Sequence, residues 1–235
     1  MSTDQTSLAS PPSLTPLETL ELVRSEHASG RGKKVIPSGD GYAYGPIYGV
    51  TVVSMLSPSS IDSFAVPLFH ALSQNAELHG KVLLLPPDSY HMTLRGLEDL
   101  MGDTSLERLK GLDEEYQQLF SSLPVEVPFV KPVLTDYDFG GAVVFLEPAS
   151  QAFGNFLTAV QQATAQHLSA ALHSQTYHVT AGYYLTQDPA MRLHVQRIVF
   201  ETARRIAADS TNSELQLLTP RVCWYDSMKR FMPLF

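Results

Sequence analysis

The 235-residue sequence predicts an α+β fold arranged as two lobes. Three observations predict it. β-branched runs alternate with amphipathic stretches along the whole chain, so strands and helices are interleaved. The order strand, helix, strand, helix occurs twice. The tetrapeptide Tyr-His-x-Thr also occurs twice, as YHMT over 90–93 and YHVT over 177–180, each time in the matching strand of its unit. Two copies are too few for a solenoid and point instead to one duplicated unit.

Each element has its own signal. Residues 1–16 are rich in Ser, Thr and Pro, bury little, and read as a disordered tail. Pro16 opens a helix over 16–28. Gly and Pro crowd 29–49, which reads as a loop. Residues 17–47 are therefore an N-terminal helix and loop ahead of a single bilobal domain over 48–235. YGVTVVSML (48–56) is a β-branched strand. Residues 58–78 read as a helix capped near Ser60 or Asp62, with Pro67 marking a kink or a later start. KVLLL (81–85) and YHMTLRGL (90–97) are strands. Residues 105–123 form an amphipathic helix. Residues 125–139 are extended, and their prolines place them at a sheet edge. GGAVVFLEP (140–148) is a strand, 150–173 a long helix, and YHVTAGYYL (177–185) a strand. Pro189 opens a helix over 189–209. ELQLLTP and RVCWYDS then read as a closing hairpin or two adjacent strands.

Composition narrows the function. The hydrophobic share of 44% supplies a real core. The net charge is −8, and the 16 Lys and Arg are scattered, with RGKK (31–34) and ARR (203–205) the only small clusters. That distribution offers no track for long nucleic acid, although it leaves room for a local basic pocket. Cys223 is the single cysteine, so no disulfide framework or cysteine-rich zinc site is expected, and it reads as a small buried apolar residue. No histidine spacing suggests a metal site, and no cofactor motif is present. The N-terminus lacks the features of a secretory signal, and no apolar run reaches membrane-spanning length. The expectation is a soluble cytoplasmic or nuclear monomer with no membrane partner.

The repeated tetrapeptide carries the chemistry. Strand alternation puts His91 and Thr93 on one face and Tyr90, Met92 and Leu94 on the other. It does the same for His178 and Thr180 against Tyr177, Val179 and Ala181. If both His-Thr pairs face one cleft, one imidazole serves as general base and the other as general acid on a phosphodiester. The threonine hydroxyls then donate to the non-bridging oxygens. Arg95 follows on the same alternation and either binds phosphate or pairs with a carboxylate. Tyr42, Tyr44, Trp224 and Tyr225 either stack on a base or pack in the core.

On these residues the sequence resembles the two-histidine (2H) phosphoesterase superfamily, whose members carry two His-x-Thr/Ser-x motifs. The resemblance covers roughly residues 48–226, and GPIYGVTVVSML, LPPDSYHMTL and CWYDSMKRFMPL look most like a branch described only as a domain of unknown function. It implies an internally duplicated, bilobal fold with two antiparallel sheets flanking a central cleft and helices outside. It implies catalytic roles for His91, Thr93, His178 and Thr180. It also implies a metal-independent phosphodiesterase, and the acidic net charge directs the expected substrate to a small nucleotide ester: a 2′,3′-cyclic phosphate or a short oligonucleotide end. Two rivals stand beside this: a non-catalytic nucleotide- or RNA-end-binding module that keeps the cleft, and a structural α+β protein whose repeats are coincidental. The last requires the two His-Thr pairs to lie on unrelated surfaces.

Overall fold

Thr15 opens the first element. Its hydroxyl accepts from the Glu18 amide while the Glu18 carboxylate accepts from the Thr15 amide, a capping box ahead of α1 (Pro16–Ser29). The computed structural model describes residues 14–30, 32–97, 104–124, 129–133, 140–170, 176–209 and 214–235. The tail expected over 1–16 falls outside them except for its last three residues, Leu14 to Pro16. Helix α1 sends Leu20 and Val23 into the same core as the sheet.

The stretch read as a loop over 29–49 holds a hairpin, β1 (Val35–Ser38) and β2 (Gly41–Tyr44). Its Gly and Pro residues mark the turn and flanks rather than the absence of strands: Gly39, at φ 56°, takes the left-handed backbone that the turn needs. Strand β3 (Gly49–Met55) follows, with Val50, Val52 and Val53 all buried. The next helix begins at Pro58, capped by Ser57 and not by Ser60 or Asp62. It runs as α2 (Pro58–Ser60), a π-turn over Ile61–Ala65, and α3 (Val66–Ser73). Pro67 has no N–H to give to the preceding turn, and the widened π-turn just before it absorbs that loss.

The remaining elements are β4 (Val82–Leu84), β5 (His91–Gly96), α4 (Leu106–Ser121), β6 (Phe129–Val133), β7 (Ala142–Pro148), α5 (Gln151–Leu168), β8 (His178–Tyr184), α6 (Pro189–Asp209), β9 (Leu215–Gln216), β10 (Arg221–Ser227) and β11 (Arg230–Pro233). Helix α5 stops short of 173 because Ser169 turns left-handed at φ 52°.

Among the described residues nine strands form one antiparallel sheet, in the order β11-β10-β3-β5-β8-β7-β6-β9, with β4 paired to the far end of β8. Two separate sheets were expected. They are joined through a single residue pair, Met92 opposite Val179, because the central residues of both motifs are fully buried and meet. The sheet curls: Leu217 bridges Leu56, and the Leu218 amide donates to the Met55 carbonyl at 2.8 Å, so its β9 end returns to the end of β3. The closing segments are therefore not a hairpin with each other. β9 pairs with β6, β10 pairs with β3, and the hairpin at the C-terminus is β10–β11. The sequence reading located the segments of β6, β9 and β10 but could not choose their partners, and it placed no strand at β11. Strand β6 has a neighbour on each side, although β9 reaches only Phe129 and Val130, so the edge expected of this segment survives at Pro132.

Helices α4 and α5 pack together, where Tyr116 and Thr164 share a buried hydrogen bond. Asp113 of α4, 2% exposed, accepts from the Val222 amide at 2.6 Å and from Arg221 Nε at 3.1 Å, which fixes the helix to β10. From α6, the buried Gln196 amide bonds both the N–H and the C=O of Val143 at 3.0 and 2.7 Å. The result is an α+β fold around a curled antiparallel sheet. No helix among the described residues is long and apolar enough to cross a membrane.

Candidate active site

The two motif strands are the centre of the sheet. On β5, Met92 and Leu94 are fully buried while His91 and Thr93 are half-buried. On β8, Val179 and Ala181 are fully buried while His178 and Thr180 are half-buried. The apolar residues anchor each strand by burial, about 1.5–3 kcal/mol for a side chain the size of Val or Met. Alternation then fixes where the polar residues point. Because β5 and β8 run antiparallel through Met92 and Val179, His91 lies on the Thr180 side and Thr93 on the His178 side. All four side chains line one cleft of about 120 Å³.

Outside this pair the ladders match. Val53 and Met55 of β3 stand opposite Thr93 and His91, and Val143 and Phe145 of β7 stand opposite Thr180 and His178. Each ladder slips by one residue immediately after the threonine: Leu94 is the extra residue on β5 and Ala181 on β8. The slip resets the alternation. The next residues to reach the cleft are Gly96 and Tyr183, three positions beyond their threonines.

That slip corrects the reading of Arg95. Simple alternation carried it into the cleft, but it pairs with Val52, whose side chain is buried on the opposite face. Its charge acts there on Tyr116 of α4. Trp224 is also elsewhere: it is 9% exposed, belongs to the core, and its neighbour Tyr225 lines the cleft instead. Gly49, opposite Tyr225, leaves the space for that ring, since a Cβ there would collide with it. Tyr44 is half-buried beside the cleft: its hydroxyl donates to the Leu83 carbonyl at 3.0 Å and its ring meets Tyr183 edge-on at 6.5 Å. Cys223 is buried as expected, and burial pushes its thiol up to about 12.

Both imidazoles are held the same way. His91 Nδ1 lies 2.7 Å from the Ser89 carbonyl and His178 Nδ1 lies 3.1 Å from the Thr176 carbonyl. A carbonyl only accepts, so Nδ1 carries the proton in each ring and Nε2 is the acceptor in the neutral form. Electrostatics separate them in degree. Burial lowers His91 to about 4, helped by the nearby charges of His178 and Lys34 and opposed by the Ser89 carbonyl. Burial also lowers His178, with Lys34 adding to it and the Thr176 carbonyl opposing it. The extra cover on His91 is Phe231 of β11, with ring centroids 3.9 Å apart, whereas Phe145 stands 6.2 Å from His178.

Lys34, Met228 and Phe231 also line the cleft, and none of them was singled out as a site candidate in the sequence. Lys34 sat in a segment read as a loop, yet the β1–β2 hairpin delivers it to the cleft, with its ammonium 4.9 Å from the centre of the Tyr183 ring. Met228 and Phe231 arrive with the β10–β11 hairpin, whose second strand the sequence reading did not identify. Among the described residues no three His, Cys, Asp or Glu side chains gather as a metal-binding set.

No family model matches the sequence. No curated protein matches it either. Among solved structures, the chain is similar to a conserved protein of unknown function from Agrobacterium tumefaciens str. C58. The TM-score is 0.56 at 17% identity, over 81% of this chain and 85% of that one, a likeness that carries the fold alone.

Proposed function

We propose that the chain is a metal-independent phosphodiesterase of the two-histidine kind, acting on a small nucleotide ester such as a 2′,3′-cyclic phosphate or a short oligonucleotide end. One observation carries this reading: two imidazoles in the same tautomer and two threonine hydroxyls line a single cleft together with Lys34. The matching ladders, each slipping after its threonine, support an internal duplication in which β3–β5 and β7–β8 are equivalent halves.

In this reading the free cleft holds both histidines neutral, because burial and Lys34 disfavour two further positive charges. A bound phosphodiester brings a negative charge that favours one imidazolium. His91, the more deeply covered ring, stays neutral, and its Nε2 takes a proton from water as that water attacks phosphorus. His178 is protonated, and its Nε2–H goes to the ribose oxygen as the P–O bond breaks. Thr93 and Thr180 donate to the non-bridging oxygens, and the Lys34 ammonium offsets the charge that grows there. The products are a phosphomonoester and a free ribose hydroxyl.

The test is a screen of 2′,3′- and 3′,5′-cyclic nucleotides and of 2′,5′- and 3′,5′-linked dinucleotides, run with and without EDTA. Turnover that survives chelation and disappears in His91→Ala and His178→Ala supports the reading. Activity lost to EDTA and restored by a divalent ion overturns it. Tight nucleotide binding with no turnover on any ester favours the non-catalytic binding module.

A further inference from the structure

Lys34 reaches the cleft from outside the sheet that builds it. Among the described residues the hairpin that carries it, β1–β2, pairs only with itself, whereas β3 to β11 all belong to the nine-stranded sheet. It also precedes the segment 48–235 that holds both motifs. Among the described residues no backbone hydrogen bond joins 35–44 to the rest of the chain. The β10–β11 hairpin, which lines the same cleft, is by contrast paired to β3 along Arg221–Tyr225.

Side chains fasten β1–β2 instead. The Tyr44 hydroxyl donates to the Leu83 carbonyl at 3.0 Å, and the Tyr44 ring meets Tyr183 edge-on. The Lys34 ammonium stands over that same Tyr183 ring at 4.9 Å. Val35 and Tyr44 rest against the core while staying half-buried. At its base the two arms touch backbone to backbone: a Cβ on Gly32 would collide with the Pro46 carbonyl, and one on Gly45 with the Lys33 carbonyl. The hairpin is thus one unit on a narrow base, held down at its sides by contacts that side chains can make and release.

The cleft is narrow. Its volume of about 120 Å³ is well below the roughly 300–1,000 Å³ of a small-molecule site. Entry of an ester requires part of the wall to give way, and β1–β2 is the part with no backbone bond to the sheet. Lys34 lines the cleft only while the hairpin is down. An anion between the histidines therefore binds the closed form more tightly, and by the same factor shifts the hairpin toward closure.

We infer that the β1–β2 hairpin is a lid on the two-histidine cleft, freed when Tyr44 leaves Leu83 and Lys34 leaves Tyr183, and drawn shut by an anion that Lys34 meets inside. This rests on the proposed function only in taking a phosphate group as the occupant. The test measures the lid directly. Cys223, the single cysteine, is buried, so spin labels can be directed to Ser38→Cys on the exposed end of β1 and Ser73→Cys on the exposed end of α3. Pulsed electron paramagnetic resonance reads the distance between them in the full chain. Inorganic phosphate is the probe, and the His91 and His178 NMR signals report its binding.

The free protein should show a closed and an open population. Saturating phosphate should raise the closed-to-open ratio by roughly 5- to 150-fold, the usual range of coupling between sites. Without phosphate, Tyr44→Phe should lower that ratio about two- to tenfold through its lost hydrogen bond. Lys34→Met should abolish the response to phosphate. A distance distribution unchanged by phosphate that both histidines register overturns the lid, as does a Lys34→Met chain that still closes. Histidine signals that phosphate does not move overturn it too, because no anion then draws the hairpin shut. Closure on phosphate in a chain with no turnover on any ester keeps the lid and removes the hydrolase reading. Turnover with a fixed hairpin does the reverse.

Discussion

The strand holding His91 and the strand holding His178 begin from nearly the same four residues and end in different surroundings. Both donate Nδ1–H to a carbonyl two residues upstream, and both slip register after the threonine. These shared features are local, set by alternation and by the backbone just before each histidine. The surroundings differ through distant sequence. Strand β5 lies two strands from the β10–β11 hairpin, which brings Phe231 against His91 at 3.9 Å, while β8 has β4 beside its far end and Phe145 of β7 at 6.2 Å from His178. The tyrosines diverge too: the Tyr90 hydroxyl is buried with no hydrogen-bond partner among the described residues, whereas the Tyr177 hydroxyl accepts from Gln161 at 3.2 Å. A local motif therefore sets the tautomer and direction of an imidazole, and the neighbours it acquires set its proton affinity.

The largest effects should come from breaking either half of the pair. His91→Ala and His178→Ala should each lower kcat by about 10² to 10⁴, the range for a lost general acid or base. Steady-state kinetics on the best ester from the screen would show it. One variant near wild-type turnover would mean that the matching strands do not share one reaction.

Next come the threonines. Thr93→Val and Thr180→Val remove a hydrogen bond to a charged oxygen and leave the proton-transfer groups, costing about 1.5–3 kcal/mol each in kcat/KM. The pH–rate profile should drop in height and keep both limbs. Loss of a limb in either variant would give the hydroxyls a different task.

Phe231→Ala sharpens the contrast directly. It lets water reach His91, whose pKa should rise from about 4 toward the ordinary 6.5, while His178 moves less. Histidine NMR titration reads both rings. The sign for stability follows. Folding favours the neutral ring, so the unfolded chain binds the extra proton between pH 6.5 and about 4, and stability falls as pH is lowered through that window. Phe231→Ala should shrink the His91 share of that loss. An unchanged His91 titration would assign its low affinity to other neighbours.

The smallest effect separates the tyrosines. Tyr177→Phe gives up a hydrogen bond and should cost about 0.5–1.5 kcal/mol in a denaturant melt. Tyr90→Phe removes a buried hydroxyl that has no partner among the described residues and should be neutral or stabilising. Equal destabilisation by both would show that Tyr90 finds a partner in solution.

What the sequence determined by itself was whatever depends on near neighbours. Helices α4, α5 and α6 came from apolar periodicity, and Pro16 and Pro189 marked two starts. The facing of His91, Thr93, His178 and Thr180 came from strand alternation, which a four-residue stretch already fixes. Tertiary structure decided what depends on pairing between distant segments. A single extra residue, Leu94, turned Arg95 out of the cleft, and nothing in the sequence around it announces a bulge. The phase of β10 chose Tyr225 over Trp224 because Gly49 happens to stand across from it. Lys34 became a cleft cation because a Gly-rich stretch folded into a hairpin beside Tyr183. Alternation gives each strand two faces, and only its partners decide which face meets the cleft and which meets the core.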